Sequence, residues 1–194
     1  MKTRALLQFV LVLCIAAAAE THAQVTVIPT EGRNVYRLAI ARAAAEHRII
    51  GSTWDNRLCA YDLRGTHCWD VPLGGFAFDI CCADLDGDGT DEILTAGADG
   101  VIACFSADGK ERWKHALPAP AQQVTVARLD GRSPVVVAGG ISREIVLLSP
   151  AGELLRTVGT DGALSSVAIR MLRAGDFDGD GKDEVALQGL RGQP

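Results

Sequence analysis

Aromatic residues are scarce: Trp, Tyr and Phe together make up 5% of the chain. Glycine, by contrast, fills 21 of 194 positions. That balance disfavours a helical bundle and favours short strands joined by tight turns. No long basic run exists, and the net charge is −5. The electrostatic footprint of a nucleic-acid binder is therefore missing. His47, His67 and His115 stand on separate segments and show no ligand spacing. Nucleophile elbow, HExxH pair and glycine-rich phosphate loop are all lacking, so no catalytic residue and no organic cofactor site is expected. Beyond the N-terminus no apolar run is long enough for a membrane span. What remains, 22% charged and 48% hydrophobic residues, is ordinary globular composition.

The N-terminus reads apart from the rest. Lys2 and Arg4 form a short basic region, Ala5–Ala19 is apolar except for Gln8, and Thr21-His22-Ala23 offers a small residue for cleavage. This pattern predicts a secretory signal peptide over 1–23 and a secreted, periplasmic or extracellular protein. The apolar run falls short of the roughly 20 residues that a spanning helix needs. Cleavage leaves 171 residues and five cysteines: Cys59, Cys68, Cys81, Cys82 and Cys104. An odd count leaves at least one thiol without an intramolecular partner.

The chain repeats itself. Gly51–Trp69, Gly97–Trp113 and Gly139–Arg156 share one layout: glycine, polar turn, apolar strand, a second turn ending in glycine, and another strand. The second-turn glycines, Gly65, Gly109 and Gly152, are spaced by 44 and 43 residues. Trp69 and Trp113 each follow their glycine by four residues, which predicts packing between repeats. An acidic loop recurs as well: DLDGDGTDEI at Asp84–Ile93 and DFDGDGKDEV at Asp176–Val185, 92 residues apart. Between them Leu129-Asp130-Gly131 keeps only the start of the loop.

One unit is therefore four short strands. In the clearest copy these are Phe76–Cys81, Glu92–Ala96, Val101–Phe105 and Glu111–Ala116. Four antiparallel strands repeating every forty-odd residues mark an all-β fold, a β-propeller blade by period and content. A single small twisted sheet cannot cover both of its faces; stacking sheets radially does so and leaves only short edges. Blades are expected at about 34–73, 76–117 and 122–158, with a partial fourth at 164–190. About three and a half blades are fewer than the roughly four to eight that close a propeller. The expectation is an incomplete propeller or a fragment, with Val25–Ile28 as a short closing strand.

Acids at alternate positions of a glycine-rich loop suit a hard cation, and calcium takes roughly six to eight oxygens. Asp84, Asp86 and Asp88 fill positions one, three and five, Thr90 position seven and Glu92 position nine. Asp176, Asp178, Asp180, Lys182 and Glu184 match them in the second loop. An EF-hand needs Glu at position twelve, where Thr95 and Leu187 stand. Three close carboxylates without a cation repel one another, and the arrangement occurs twice.

These loops resemble the calcium-binding loops of FG-GAP or VCBS repeats, the propeller repeats of integrin α-chains and many secreted bacterial proteins. The hairpins, as in LCAYDLRGTHCW, resemble quinoprotein-type propeller repeats. The resemblance implies one structural Ca²⁺ in each complete loop, bound by the residues just named, and no metal at the short Leu129–Pro134 loop. The family often has Asp at position nine, so either Asp91 or Glu92 closes the first site.

Cys81-Cys82 reads as two packed small residues, because strand neighbours point to opposite faces. A three-residue turn with Gly65 as its bulge would set Cys59 opposite Trp69, so no Cys59–Cys68 disulfide is expected. The function expected first is a secreted, calcium-binding propeller that binds protein or glycan ligands as a scaffold module. The alternative is the N-terminal part of a secreted propeller enzyme, resembling polysaccharide lyases of the rhamnogalacturonan type or quinone-dependent dehydrogenases.

Overall fold

The computed structural model describes residues 27–30, 32–44, 46–159 and 167–191. The signal-peptide reading at 1–23 lies outside them. Fourteen strands and no helix occur among the described residues. The first sheet holds β1 (Val35–Ala43), β2 (Glu46–Thr53), β3 (Arg57–Asp62) and β4 (His67–Pro72). The second holds β5 (Ala77–Ala83), β6 (Glu92–Gly97), β7 (Val101–Phe105) and β8 (Glu111–Ala116). The third holds β9 (Ala121–Ala127), β10 (Val135–Gly140), β11 (Glu144–Leu148) and β12 (Leu154–Gly159). β13 (Val167–Gly175) and β14 (Glu184–Arg191) form a two-stranded fourth sheet. Every sheet is an antiparallel meander in sequence order. The described residues thus form about three and a half blades of a β-propeller.

The first strands β1, β5, β9 and β13 lie side by side and form the inner ring around the axis. Fourth strands face outward, and β12 is exposed along its whole length. Burial follows the two-residue period of a strand. In β7, Ile102 and Cys104 face the third blade, while Ala103 and Phe105 face the first. Leu94 joins Val136, Ala138, Val146 and Leu148 in the layer between blades two and three. Ile93 joins Ile50, Leu58 and Ala60 between blades one and two. The next layer sets Val137 and Ile145 against Ile169 and Leu172. A one-residue slip would turn each set to the wrong layer, which fixes the register.

The recurring tryptophans latch neighbouring blades. Trp69 in β4 covers Gly109 of the second blade and donates from Nε1 to the Ala107 carbonyl at 3.1 Å. Trp113 in β8 covers Gly152 of the third blade and donates to the Pro150 carbonyl at 2.8 Å. A Cβ added at Gly152 would meet the Trp113 ring at 2.5 Å, and its φ of +83° is itself costly for an L side chain. Glycine is thus required twice over at that position.

The first half of the closing strand expected at Val25–Ile28 lies outside the described residues; Val27 and Ile28 lie in no strand, and Ile28 packs beside Gly65 and over Ile49, Cys59 and Tyr61 of the first blade. Its flank of the first sheet also borders a cavity of about 350 Å³. One expectation needs correction. Cys59 lies opposite Asp70, and it is Ala60 that faces Trp69. The turn glycine Gly65 leaves Asp62 paired with Thr66, and the extra residue comes later, at Cys68. All five described cysteines are free thiols. Cys81 and Cys82 pack into different layers, on opposite faces of β5. No helix among the described residues is long and apolar enough to cross a membrane.

Candidate functional site

Both acidic loops join the inner strand of a blade to its second strand, β5 to β6 and β13 to β14. They are folded alike, bond for bond. Asp84 accepts from the Gly87 amide at 2.7 Å and the Gly89 amide at 2.9 Å. Asp176 accepts from Gly179 at 2.6 Å and Gly181 at 2.9 Å. Asp86 and Asp88 cap the amides two residues on, as Asp178 and Asp180 do in the second loop. Glu92 reaches back to the Leu85 amide at 3.0 Å, and Glu184 to Phe177 at 2.9 Å. Such local bonds are why Asp stabilises turns.

Three carboxylates converge in each loop. Asp84, Asp86 and Glu92 bring one oxygen apiece within 4.8 Å of the others, and Asp176, Asp178 and Glu184 do the same. Positions one, three and nine thus come together. Asp88 and Asp180 at position five fall outside these groups. At position seven, Thr90 and Lys182 stand where the backbone carbonyl would be the donor, and the Lys182 side chain pairs with Asp180 at 3.3 Å. An all-oxygen donor set carried on a short loop fits a hard divalent cation such as Ca²⁺.

Asp91 and Asp183, one residue before the ninth position, do different work. Asp91 accepts from the Arg42 amide at 2.8 Å and ion-pairs its guanidinium, while its own amide donates to the Arg42 carbonyl. The second pair repeats this: the Arg128 amide donates to the Asp183 carboxylate at 2.6 Å, and the Asp183 amide donates to the Arg128 carbonyl at 3.0 Å. Both aspartates therefore tie their loop to the inner strand of the preceding blade. Glu92, not Asp91, stands with the converging carboxylates.

In the first loop, burial opposes local amides and guanidiniums. Burial works to raise the Asp84 carboxyl, but the Gly87 and Gly89 amides and Arg42 prevail and hold it below its ordinary value. Burial prevails at Glu92 and pushes its carboxyl up, against the Leu85 amide and Arg112. Arg112 is the extra residue of a bulge in β8, and it pairs with both Asp86 and Glu92. The third loop keeps one carboxylate, Asp130, which caps the Arg132 and Ser133 amides.

The inner ring holds a second group that sequence reasoning passed over. Tyr36, Trp54, Phe76 and Phe78 cluster at the end of the axis opposite the acidic loops. Trp54 stacks on Phe76 with centroids 4.6 Å apart, and Tyr36 meets both rings edge-on. Beside them Arg37 pairs with Asp79 at 3.2 Å, and Asp79 accepts from the Val124 amide of the next blade. Gln123 repeats that bond to the Leu172 amide. The available signal was positional: Arg37, Asp79 and Gln123 sit at one place in the first three repeats and are all polar, while Met171 stands there in the fourth.

Comparison with known proteins now places this fold. Two lambda-carrageenases, from Pseudoalteromonas sp and Pseudoalteromonas carrageenovora, are each 34% identical to it over 128 residues. That region is 65% of this chain but 14% of the relatives, so the chain spans about one seventh of their length. Among solved structures, BBS1N in complex with ARL6DN superposes with a TM-score of 0.63 at 16% identity, over 84% of this chain and 51% of that one. The WD40 propeller domain of Doa1 gives 0.56 at 13% identity, over 79% and 48%. At such identities these two speak for the propeller alone. Residues 48–162, more than half of the chain, match the family described as the lambda-carrageenase beta-propeller domain, and the chain belongs to that family.

Proposed function

We propose that this chain is an extracellular, calcium-stiffened propeller module that binds a carrageenan-type polysaccharide. The family match over residues 48–162 carries the reading, because it ties this propeller to proteins named for that polysaccharide. It shifts the choice between protein and glycan ligands toward glycan. It also favours the alternative of a propeller belonging to a polysaccharide-degrading enzyme, with this module engaging the chain. Calcium has a structural part in this reading. The ions sit in the β5–β6 and β13–β14 loops, held through Asp84, Asp86 and Glu92 and through Asp176, Asp178 and Glu184. Each stiffens the connection that also carries the Asp91 or Asp183 tie. The basic N-terminus and apolar run over 1–23 support export.

Electrophoresis of the full chain through gels containing λ-carrageenan tests the reading. Retardation that grows with polymer concentration is expected. Unchanged mobility at every concentration overturns it.

A further inference from the structure

Each of the four inner strands carries a β-bulge at the same place. The extra residues are Tyr36, Phe78, Gln122 and Arg170. A bulge interrupts the ladder and re-aims one side chain, and four in register gather four side chains at one end of the axis. Nothing in strand pairing requires them there.

The gathered side chains divide by chemistry. Tyr36 and Phe78 join Trp54 and Phe76 in the aromatic half. Trp54 is 61% exposed and Tyr36 46% exposed, although their ring contacts hold them in place. In the polar half, the Gln122 amide turned with its oxygen toward Arg170 donates to the Ile169 carbonyl at 3.2 Å and accepts from Arg170 Nη1 at 3.3 Å. Arg170 and Arg173 are exposed. With Arg37 they set three guanidiniums on the inner ring against the one carboxylate of Asp79. The ring is therefore locally cationic in a chain whose net charge is −5.

We propose that this end of the axis is the glycan platform, where Trp54 and Tyr36 receive the face of a pyranose ring and Arg170 an anionic substituent of the chain. The inference rests on the polysaccharide-binding reading above and names its site. Rings already held in place lose little freedom on binding, which favours affinity. An arginine steadied by a neighbouring amide offers a planar fork to an anionic oxygen pair. Stacking supplies contact, and the guanidinium selects a charged polymer over a neutral one.

The test uses the full chain, λ-carrageenan oligosaccharides and tryptophan emission, with gel retardation in the polymer as a second readout. Trp54→Ala and Arg170→Gln should each weaken binding about tenfold or more. Arg170→Gln should also flatten the salt dependence of binding. Both side chains are exposed, so Arg170→Gln should melt near the wild-type temperature and Trp54→Ala, which loses its ring contacts, within about 2–5 °C of it. Wild-type binding that both folded variants retain would overturn the platform and leave the module reading standing. A wild-type protein that ignores carrageenan removes both. Equal affinity for neutral agarose oligosaccharides overturns the role given to Arg170, and binding lost only to competing protein would make the aromatic cluster a protein-docking surface instead.

Discussion

Asp91 and Arg42 hold each other through three groups at once: amide to carboxylate, amide to carbonyl, and guanidinium to carboxylate. Asp91 is 6% exposed, so its removal leaves bonding groups unmet beneath the loop. Asp91→Ala should lower the melting temperature by about 2–8 °C in the presence of chelator. It should leave any calcium-induced rise in place, because Glu92 stands with Asp84 and Asp86. Glu92→Gln should do the reverse and weaken that rise. Thermal melts of both variants, with EDTA and with calcium, separate the two roles; a calcium response lost in Asp91→Ala alone would contradict them.

Calcium that binds only the folded state must stabilise it. At a hundredfold excess over the dissociation constant each loop should add about 5–10 °C to the melting temperature. The Asp86→Ala, Asp178→Ala double variant should melt at one temperature with EDTA or calcium. A wild-type melt indifferent to calcium would reduce both loops to acidic turns.

How much of this was legible depended on what punctuates the chain. Val101–Phe105 and Glu111–Ala116 were readable to the residue, because Asp99-Gly100 and Asp108-Gly109 fix the ends of that hairpin. The sequence predicts β5 over Phe76–Cys81, whereas it runs from Ala77 to Ala83, since Cys82 and Ala83 still pair with Ile93 and Glu92. The bulges were invisible: one added residue changes neither composition nor period enough to notice. The same blindness misplaced Cys59 by one residue. Asp91 and Glu92 were indistinguishable as candidates, because adjacent residues at the loop's end point apart and only the preceding blade decides which carboxylate it takes. Contacts between blades are set by stacking; the repeated spacing of Trp69 and Trp113 marked two of them, and the tie between Asp91 and Arg42 had no such repeated spacing to show it.

Gly152 beneath Trp113 offers a packing test. Gly152→Ala places a methyl group 2.5 Å from the indole and keeps a φ of +83°. The expected cost is about 2–4 kcal/mol, part overpacking and part backbone strain. In a Trp113→Ala background the overpacking disappears, and the substitution should cost about 1–2 kcal/mol, the strain alone. Urea denaturation of the four proteins gives the coupling. Strict additivity would mean that the indole does not rest on the glycine.

Thiol chemistry follows burial. Cys68 is exposed, whereas Cys59 and Cys104 are buried. Burial pushes the Cys81 thiol up to about 11 and the Cys104 thiol to about 12, and it raises Cys59 and Cys82 as well. Only a thiolate reacts readily. Alkylation of the native protein at pH 8 should therefore mark Cys68 alone among the five described cysteines, and urea should release the other four. Peptide mapping that recovers Cys59 linked to Cys68 would contradict both the free thiols and the register.

Asp79 sets burial against partnership. Burial raises its carboxyl above the ordinary value, although Arg37 and the Val124 amide both favour the charged form. A raised carboxyl means that the folded state takes up a proton more readily than the unfolded state does. The charged group therefore costs stability at every pH above its folded value, and that cost fades as pH falls toward the unfolded one. Asp79→Asn removes the charge while its side-chain oxygen still accepts from Val124, and the half-exposed Arg37 returns to water. At pH 7 the Asn variant should be at least as stable as the wild type, and its advantage should shrink as pH falls toward the ordinary carboxylate range. Asp79→Ala leaves the Val124 amide without its acceptor and should lose about 1–3 kcal/mol at both pH values. Urea denaturation at pH 7 and pH 4.5 ranks the three. If Asn proves as damaging as Ala at pH 7, the ion pair with Arg37 outweighs the cost of burying the carboxylate.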